Sequence, residues 1–556
     1  MRNNPIWNEH PKPQLKRDKY TILNGEWKLN NHTINLPFPP QSDLALYNDE
    51  ISDELVYTHS FIIPDSFTFP RTILHFGAVD QIAEIWLNGA YIGRHEGGYL
   101  PFSFDISEHL QKDNNLLEVR ATDTLSTIYP YGKQCNNRGG MWYTPVSGIW
   151  QPVWLENVPD EYITEISITP DLKGVGLEIK STHQGFTAVI DLDSNDTYTI
   201  DFTTNSGRID FDNAVSDNGV PITPKLWNTE TPYIYNMRII SGKDIIYSYF
   251  ALREIKITDI NGTNRVCLNG QPIFMHGVLD QGYFMDGIYL PATPDKYEQD
   301  ILNMKELGIN TLRKHIKIEP EIFYYYCDKH GMLVIQDMVN NGGYSYIKDT
   351  VLPTIGFKKR NDCRKSNSTE LTRRAFFEKH MTDTINHLYN HPSIVAYTIF
   401  NEGWGQFESD RMYRLARETD STRLYDSASG WFSQNESDFD SVHVYFRNVV
   451  LKPKNRPHFL SECGGYTYKI KEHCYNPDKS YGYGTCRNSE ELTDRIISMY
   501  DKMVIPAISK GLCGCIYTQL SDVEDEINGL YTYDRAICKV DKAKMKALSR
   551  RIYQIL

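Results

Sequence analysis

The pattern of apolar and polar positions changes character along the chain. From about residue 20 to 156 it consists of short alternating or β-rich segments separated by turn residues. Ile82-Ala-Glu-Ile-Trp-Leu87 followed by Asn88-Gly89 predicts a hairpin, because Asn-Gly tolerates the positive φ angles of a tight turn. An all-β unit follows from this. The stretch 161–257 continues in the same style with fewer aromatics. Tyr162–Thr169, Gly176–Lys180, Thr187–Leu192, Tyr198–Phe202, Tyr235–Ile240 and Ile245–Leu252 contribute to roughly seven short strands of a small β-sandwich.

After Ile260 apolar β-rich runs alternate with amphipathic helical stretches, the pattern of a parallel sheet wrapped by helices. Eight runs read as strands: Ile273–Gly277, Thr311–Arg313, Leu333–Asp337, Ile394–Asn401, Leu424–Ser427, Ser441–Val444, His458–Glu462 and Leu512–Thr518. Helical spacing fills the gaps at Lys296–Leu307, Glu321–His330, Arg373–Asn390, Met412–Arg417 and Leu492–Ser509. Eight strands with helices in about 300 residues predict a (β/α)8 barrel.

Composition narrows the possibilities further. The 556 residues include 23 Phe, 9 Trp and 37 Tyr, ample for large cores. With 58 basic and 71 acidic side chains the net charge is −13, without long runs, so the surface field repels phosphate backbones and nucleic acid is excluded as a partner. No apolar window of membrane-spanning length and no N-terminal leader pattern is present, so a cytoplasmic chain without membrane contact is expected. Ten cysteines are scattered without a CxxC pair and read as free thiols; Cys513 and Cys515 are expected on one face of a strand as small buried residues.

In such a barrel chemistry sits at the C-terminal strand ends. Strand four ends in Phe400-Asn401-Glu402-Gly403-Trp404, and strand seven in Ser461-Glu462-Cys463. Two carboxyls converging on one mouth are what glycoside hydrolysis needs: one protonates the departing oxygen, the other attacks or activates water at the anomeric carbon. Trp404 and Trp431 are candidate platforms for sugar stacking, each alternatively a packing residue of the wall. His387 and His391, four apart, imitate a metal pair, but no carboxylate follows in motif position and His391-Pro392 reads as a helix end.

The chain resembles glycoside hydrolase family 2, which includes β-galactosidases, β-glucuronidases and β-mannosidases. Leu23-Asn-Gly-Glu-Trp-Lys-Leu29 is similar to the family's opening strand, and Ser147-Gly-Ile-Trp-Gln-Pro-Val-Trp-Leu-Glu156 to the close of its sugar-binding-like domain. Leu226-Trp-Asn-Thr-Glu-Thr-Pro-Tyr233 and Ala251-Leu-Arg-Glu254 resemble late elements of its immunoglobulin-like domain, and Asn269–Gly277 its first barrel strand. The resemblance implies a jelly-roll, sugar-binding-like domain over 1–160, an immunoglobulin-like β-sandwich over 161–257 and a catalytic TIM barrel over 258–556.

It also implies roles. Glu402, after Asn401, matches the general acid/base and Glu462 the nucleophile of a retaining, two-step mechanism. Arg313 matches an arginine that lends positive field to Glu462, with a structural ion pair as the alternative. Tyr445, in His443-Val-Tyr445, falls near a tyrosine thought to contact the nucleophile. Asp337 and His315 are hydroxyl binders, His315 only with a shift of one residue.

Departures bear on the sugar. On strand eight Tyr517, Thr518 and Gln519 stand where relatives usually carry tryptophan, and Asn528–Arg535 lacks the Asn-x-Lys with which β-glucuronidases hold a carboxylate. A neutral sugar is therefore expected, with β-galactosidase leading and a β-glucuronide, β-galacturonide or β-mannoside as alternatives. The cations of the 356–370 loop (Lys358, Lys359, Arg360, Arg364, Lys365) are an alternative anion site. A different class of reading, a sugar-binding protein without turnover, is disfavoured by the retention of both glutamates. Within the N-terminal domain, Asp123 and Arg138-Gly139-Gly140 are the candidates to reach the pocket. No obligatory cofactor is expected, although some relatives use Mg or Na ions. Partners reduce to an oligosaccharide or glycoconjugate and, since the family often forms dimers or tetramers, a second copy of the chain.

Overall fold

The computed structural model describes residues 7–354, 367–445, 449–451 and 455–555. The first domain is a sandwich of two mainly antiparallel sheets. One has four strands in the order Tyr20–Ile22, Val153–Val158, Arg71–Phe76, Phe102–Asp105. The other has six, in the order His32–Leu36, Gly25–Leu29, Glu54–Phe61, Asn115–Thr122, Ile82–Leu87, Ala90–Glu96. Alternation decides the facing: Leu117, Val119 and Ala121 point inward while Leu116, Glu118 and Arg120 alternate outward. The predicted hairpin forms, with Asn88 at φ 53° and Gly89 at φ 84°. The second domain packs a three-stranded against a four-stranded sheet, seven strands in all.

The third domain is the barrel. Its strands are β1 (Met275–Asp280), β2 (Thr311–Lys314), β3 (Leu333–Asp337), β4 (Ile394–Thr398), β5 (Leu424–Asp426), β6 (Asp440–Val444), β7 (His458–Gly464) and β8 (Leu512–Thr518). They form one parallel sheet in the order 5-4-3-2-1-8-7-6. Side chains and one loop amide close the remaining seam: the Ser441 hydroxyl donates to Asp426 at 3.0 Å and the Asp438 amide to the Tyr425 carbonyl at 2.9 Å. Longer helices on the outside are α1 (Asp295–Glu306), α2 (Glu321–His330), α3 (Ser368–Leu388), α4 (Ser409–Thr419), α5 (Ser489–Met499) and α6 (Lys542–Tyr553). The interior is filled by Met275, Leu279, Leu333, Ile335, Ala396, Leu424, Phe459 and Ile516.

Several boundaries differ from the pattern. The first strand begins at Met275, because Ile273 donates its amide to Val266 and completes the preceding hairpin. The helix expected over 492–509 ends at Met499 and continues as a wide turn over Tyr500–Val504, since Pro506 has no N–H to give the carbonyl four residues back. Helix α6 was not among the expected elements. Cys513 and Cys515 are both buried but fall in different clusters: the ladder slips between His458↔Leu512 and Phe459↔Gly514, and this extra residue breaks the alternation. Cys363 lies outside the described residues.

Candidate active site

Strand β4 ends at Thr398, three residues earlier than expected, yet the chain stays bonded to the segment after β5 through Ile399 to Asp426, Ser429 to Phe400 and Glu402 to Ser429 (2.8–3.0 Å). At Glu402 the backbone turns left-handed (φ 54°), followed by Gly403 at φ 75°, where a Cβ would meet the Phe432 ring at 2.2 Å. This turn brings Glu402 across to β6. A register slip between Val442 and His443 places His443 opposite Glu462 of β7.

The two glutamates share their neighbours. His443 Nδ1 lies 2.7 Å from Glu402 Oε1, and its Nε2 lies 3.6 Å from Glu462 Oε1. The Tyr445 hydroxyl donates to Glu462 Oε2 at 2.5 Å and lies 3.3 Å from Glu402 Oε1. Ligand atoms of Glu402, His443 and Glu462 all fall within 4.8 Å of one another. Arg313, fully buried on β2, ties the floor together: it donates to Glu462 Oε1 (3.0 Å), the Ser461 carbonyl (3.0 Å), Asn401 Oδ1 (2.9 Å) and Asp337 Oδ1 (2.9 Å). Asp337 Oδ2 faces His315 Nδ1 at 2.7 Å. Burial pushes Glu462 up, but the charges of His443, Arg313 and His315 and the Tyr445 hydrogen bond outweigh it and hold the carboxyl down at about 2. Burial and the two glutamates push the Tyr445 hydroxyl well above the ordinary phenol range.

The remaining sequence candidates divide. Trp431 is half-buried, with its indole N–H on the Glu402 carbonyl at 3.0 Å and its ring edge-on to His443, so it borders the pair. Trp404 does not offer a stacking face: it is 3% exposed, donates to the Gly342 carbonyl and is enclosed by Tyr131 and Trp142. Thr518 and Gln519 are buried at the end of β8. Among the described residues Thr518 Oγ1 and Gln519 Oε1 have no hydrogen-bond partner, while Gln519 Nε2 donates to Asn528. His391 bonds Asp328 and His387 approaches Glu321, so each has its own structural acid. Asp123 caps the Leu125 amide and belongs to the N-terminal domain's own packing, where burial pushes it up to about 6. The basic run 358–365 lies outside the described residues.

The N-terminal domain brings to the barrel mouth Arg138, which the sequence reading named, and several residues that it missed. Between Thr122 and Gly148 the chain makes a long excursion containing Tyr-Pro-Tyr-Gly-Lys-Gln and Gly-Gly-Met-Trp-Tyr. It lies on the barrel mouth: Tyr131 and Gly132 donate to the Asn340 carbonyl, Arg138 pairs with Glu524 at 3.2 Å, and the Tyr143 hydroxyl donates to Glu526 at 2.5 Å. Trp142 and Tyr143 thereby join the site, as do Glu526 after β8 and Tyr483, whose ring stacks on Tyr445 at 4.3 Å. The available signal was length, since a structureless loop of some 25 residues in a compact domain is usually functional.

The fold and the paired carboxylates are those of the barrel glycoside hydrolases. A model described as "Glycosyl hydrolases family 2, TIM barrel domain" matches residues 258–462, and "Glycosyl hydrolase 2 galactose-binding domain-like" matches 29–143. The chain belongs to glycoside hydrolase family 2. It is similar to a putative beta-glucuronidase of Formosa agariphila (24% identical over 459 residues, 73% of this chain and 49% of that protein). It is also similar to a beta-galactosidase of Thermoanaerobacter pseudethanolicus (22% over 464 residues, 77% and 58%). The chain thus spans about half the length of these relatives. In fold it matches the beta-D-glucuronidase of Dictyoglomus thermophilum with a TM-score of 0.75 at 17% identity, over 98% of each chain.

Among the described residues Glu402, His443 and Glu462 are the one group arranged to hold a metal ion. The set does not fit an auxiliary ion beside one glutamate, because a cation bound there would occupy both carboxylates of the pair. No helix of the described residues is long and apolar enough to cross a membrane.

Proposed function

We propose that the protein is a retaining exo-β-glycosidase. The observation that carries this reading is the sharing of Tyr445 and His443 by two carboxylates whose ligand atoms lie within 4.8 Å. A retaining mechanism wants carboxyls about 5–5.5 Å apart, with no room for water between nucleophile and sugar. Glu462, kept ionised by Arg313, attacks the anomeric carbon and forms a glycosyl ester as Glu402 gives its proton to the leaving oxygen. Glu402 then takes a proton from water, which attacks the ester, releases Glu462 and restores the starting configuration. Tyr445 holds Glu462 Oε2 in place before attack, and Trp431 borders the acid/base.

Names among the relatives divide between galactosidases and glucuronidases, so the sugar stays at the level of a terminal β-linked glycone. The test is a panel of aryl β-glycosides (galactoside, glucuronide, galacturonide, mannoside, glucoside), with the product anomer followed by NMR. Turnover with retained configuration, abolished in Glu462→Gln, is expected. Turnover with inversion, or activity that survives in Glu462→Gln, would overturn the mechanism.

A further inference from the structure

Among the described residues, one mostly enclosed cation at the barrel mouth has no acidic partner. Lys133 lies in the N-terminal excursion, directly after Gly132, where a Cβ would meet the Ile316 carbonyl at 2.9 Å. The Tyr143 amide donates to the Lys133 carbonyl at 3.1 Å, and the Tyr143 hydroxyl in turn reaches Glu526. Lys133 is therefore held between the segment carrying His315 and the loop after β8, on the rim of the Glu402–Glu462 pocket. The residue is 8% exposed, and its ammonium lies 5.7 Å from the Trp142 ring centroid.

Neighbouring acids are already engaged. Glu526 gives one oxygen to Tyr143 and the other to Asn528 (2.8 Å), Glu524 is held by Arg138 and the Thr144 amide, and Asp337 by Arg313 and His315. Among the described residues the Lys133 ammonium makes no hydrogen bond or ion pair, although its charge is felt by both His315 and Glu526. The stem of Lys133 is enclosed while its ammonium keeps contact with solvent, so an anionic ligand entering the mouth can pair with it without displacing a protein acid.

We propose that Lys133 is a specificity-determining residue that binds an anionic substituent, a carboxylate or a sulfate, on the terminal sugar. This rests on the glycosidase reading and reverses the neutral-sugar expectation. It puts the anion contact on the N-terminal domain, whereas the Asn-x-Lys element absent from this chain would put it after β8.

Two measurements test it on the full chain. Aryl β-galactoside, β-glucuronide, β-galacturonide and 6-sulfo-β-galactoside are assayed with the wild type, Lys133→Met and Lys133→Arg; in parallel, calorimetry compares galactose with glucuronate, galacturonate and galactose 6-sulfate. Expected are tighter wild-type binding and higher kcat/KM for at least one anionic member. Lys133→Met should lose roughly 10- to 100-fold on that member and little on the neutral sugar, with Lys133→Arg recovering most of the loss. Whether the carboxylate or the sulfate responds identifies the group. The proposal is overturned if the wild type favours neutral sugars in both measurements, or if Lys133→Met weakens neutral and anionic members equally, as a structural role would. The glycosidase reading fails separately, by activity that survives in Glu462→Gln.

Discussion

Two buried arginines make the most instructive comparison in this molecule. Arg17 joins the first two domains: it grips Asp244 with two nitrogens (2.9 and 2.8 Å) and Glu156 with a third (2.6 Å), and donates to the Ile163 carbonyl. Arg313 grips Asp337, Glu462 and Asn401 on the barrel floor. Electrostatically the acids look alike. Burial raises Glu156, yet His75, His10 and Arg17 around it outweigh burial and leave it well below the ordinary range. Glu462 is held at about 2 in the same way. A depressed carboxylate therefore does not by itself mark a catalytic one. The difference lies in what each acid faces. Glu156 spends its oxygens on Arg17, His10 and Trp154, whereas Glu462 directs Oε2 to Tyr445 beside a second carboxylate.

Mutations should separate the two arginine networks. Glu462→Gln should lower kcat by about 10^4-fold or more, measured on aryl glycosides. Glu402→Gln should cost about 10^2- to 10^4-fold, less for leaving groups that need no protonation, which a series of substituted phenols will reveal. Arg17→Met should show the opposite profile. Leaving Glu156 and Asp244 without their cation costs about 3–5 kcal/mol of stability in urea melts, with kcat per folded molecule preserved. A large kcat loss there would break the comparison.

Tyr445→Phe removes one donor from ionised Glu462, so kcat should fall by about 10^2-fold. It should also raise the Glu462 pKa, moving the acid limb of the rate profile upward in pH. The smallest expected effect is on stability against pH. Glu462 and Glu156 have lowered folded-state pKa values, so their contribution is present above the unfolded value of about 4.5 and is lost as pH falls, for Glu462 through about 2. Urea midpoints between pH 6 and 2.5 should decline accordingly, and less steeply in Arg17→Met.

Local features made much of this legible. Asn88-Gly89 set a hairpin, alternation set the sandwich faces, and the run of apolar strands between amphipathic helices set the barrel and, with it, the strand ends that carry Glu402 and Glu462. Each depends on neighbours a few residues apart. In sequence Trp404 reads equally as a stacking platform or a packing residue, and Trp142, some 260 residues earlier, encloses it; nothing near position 404 reports that cover. The excursion carrying Lys133 has no hydrophobic period to read, because its backbone is held by Asn340 and its side chains by Glu524 and Glu526 of another domain.

The sequence by itself thus determined which elements form and which residue types stand at the mouth, since periodicity and turn chemistry are local. Tertiary structure alone decided which of those residues meet. The convergence of Glu402, His443, Tyr445 and Glu462, the saturation of Arg17, and the placing of Lys133 beside Trp142 at the barrel mouth all depend on contacts between distant segments, and only closure of the barrel and docking of the N-terminal domain create them.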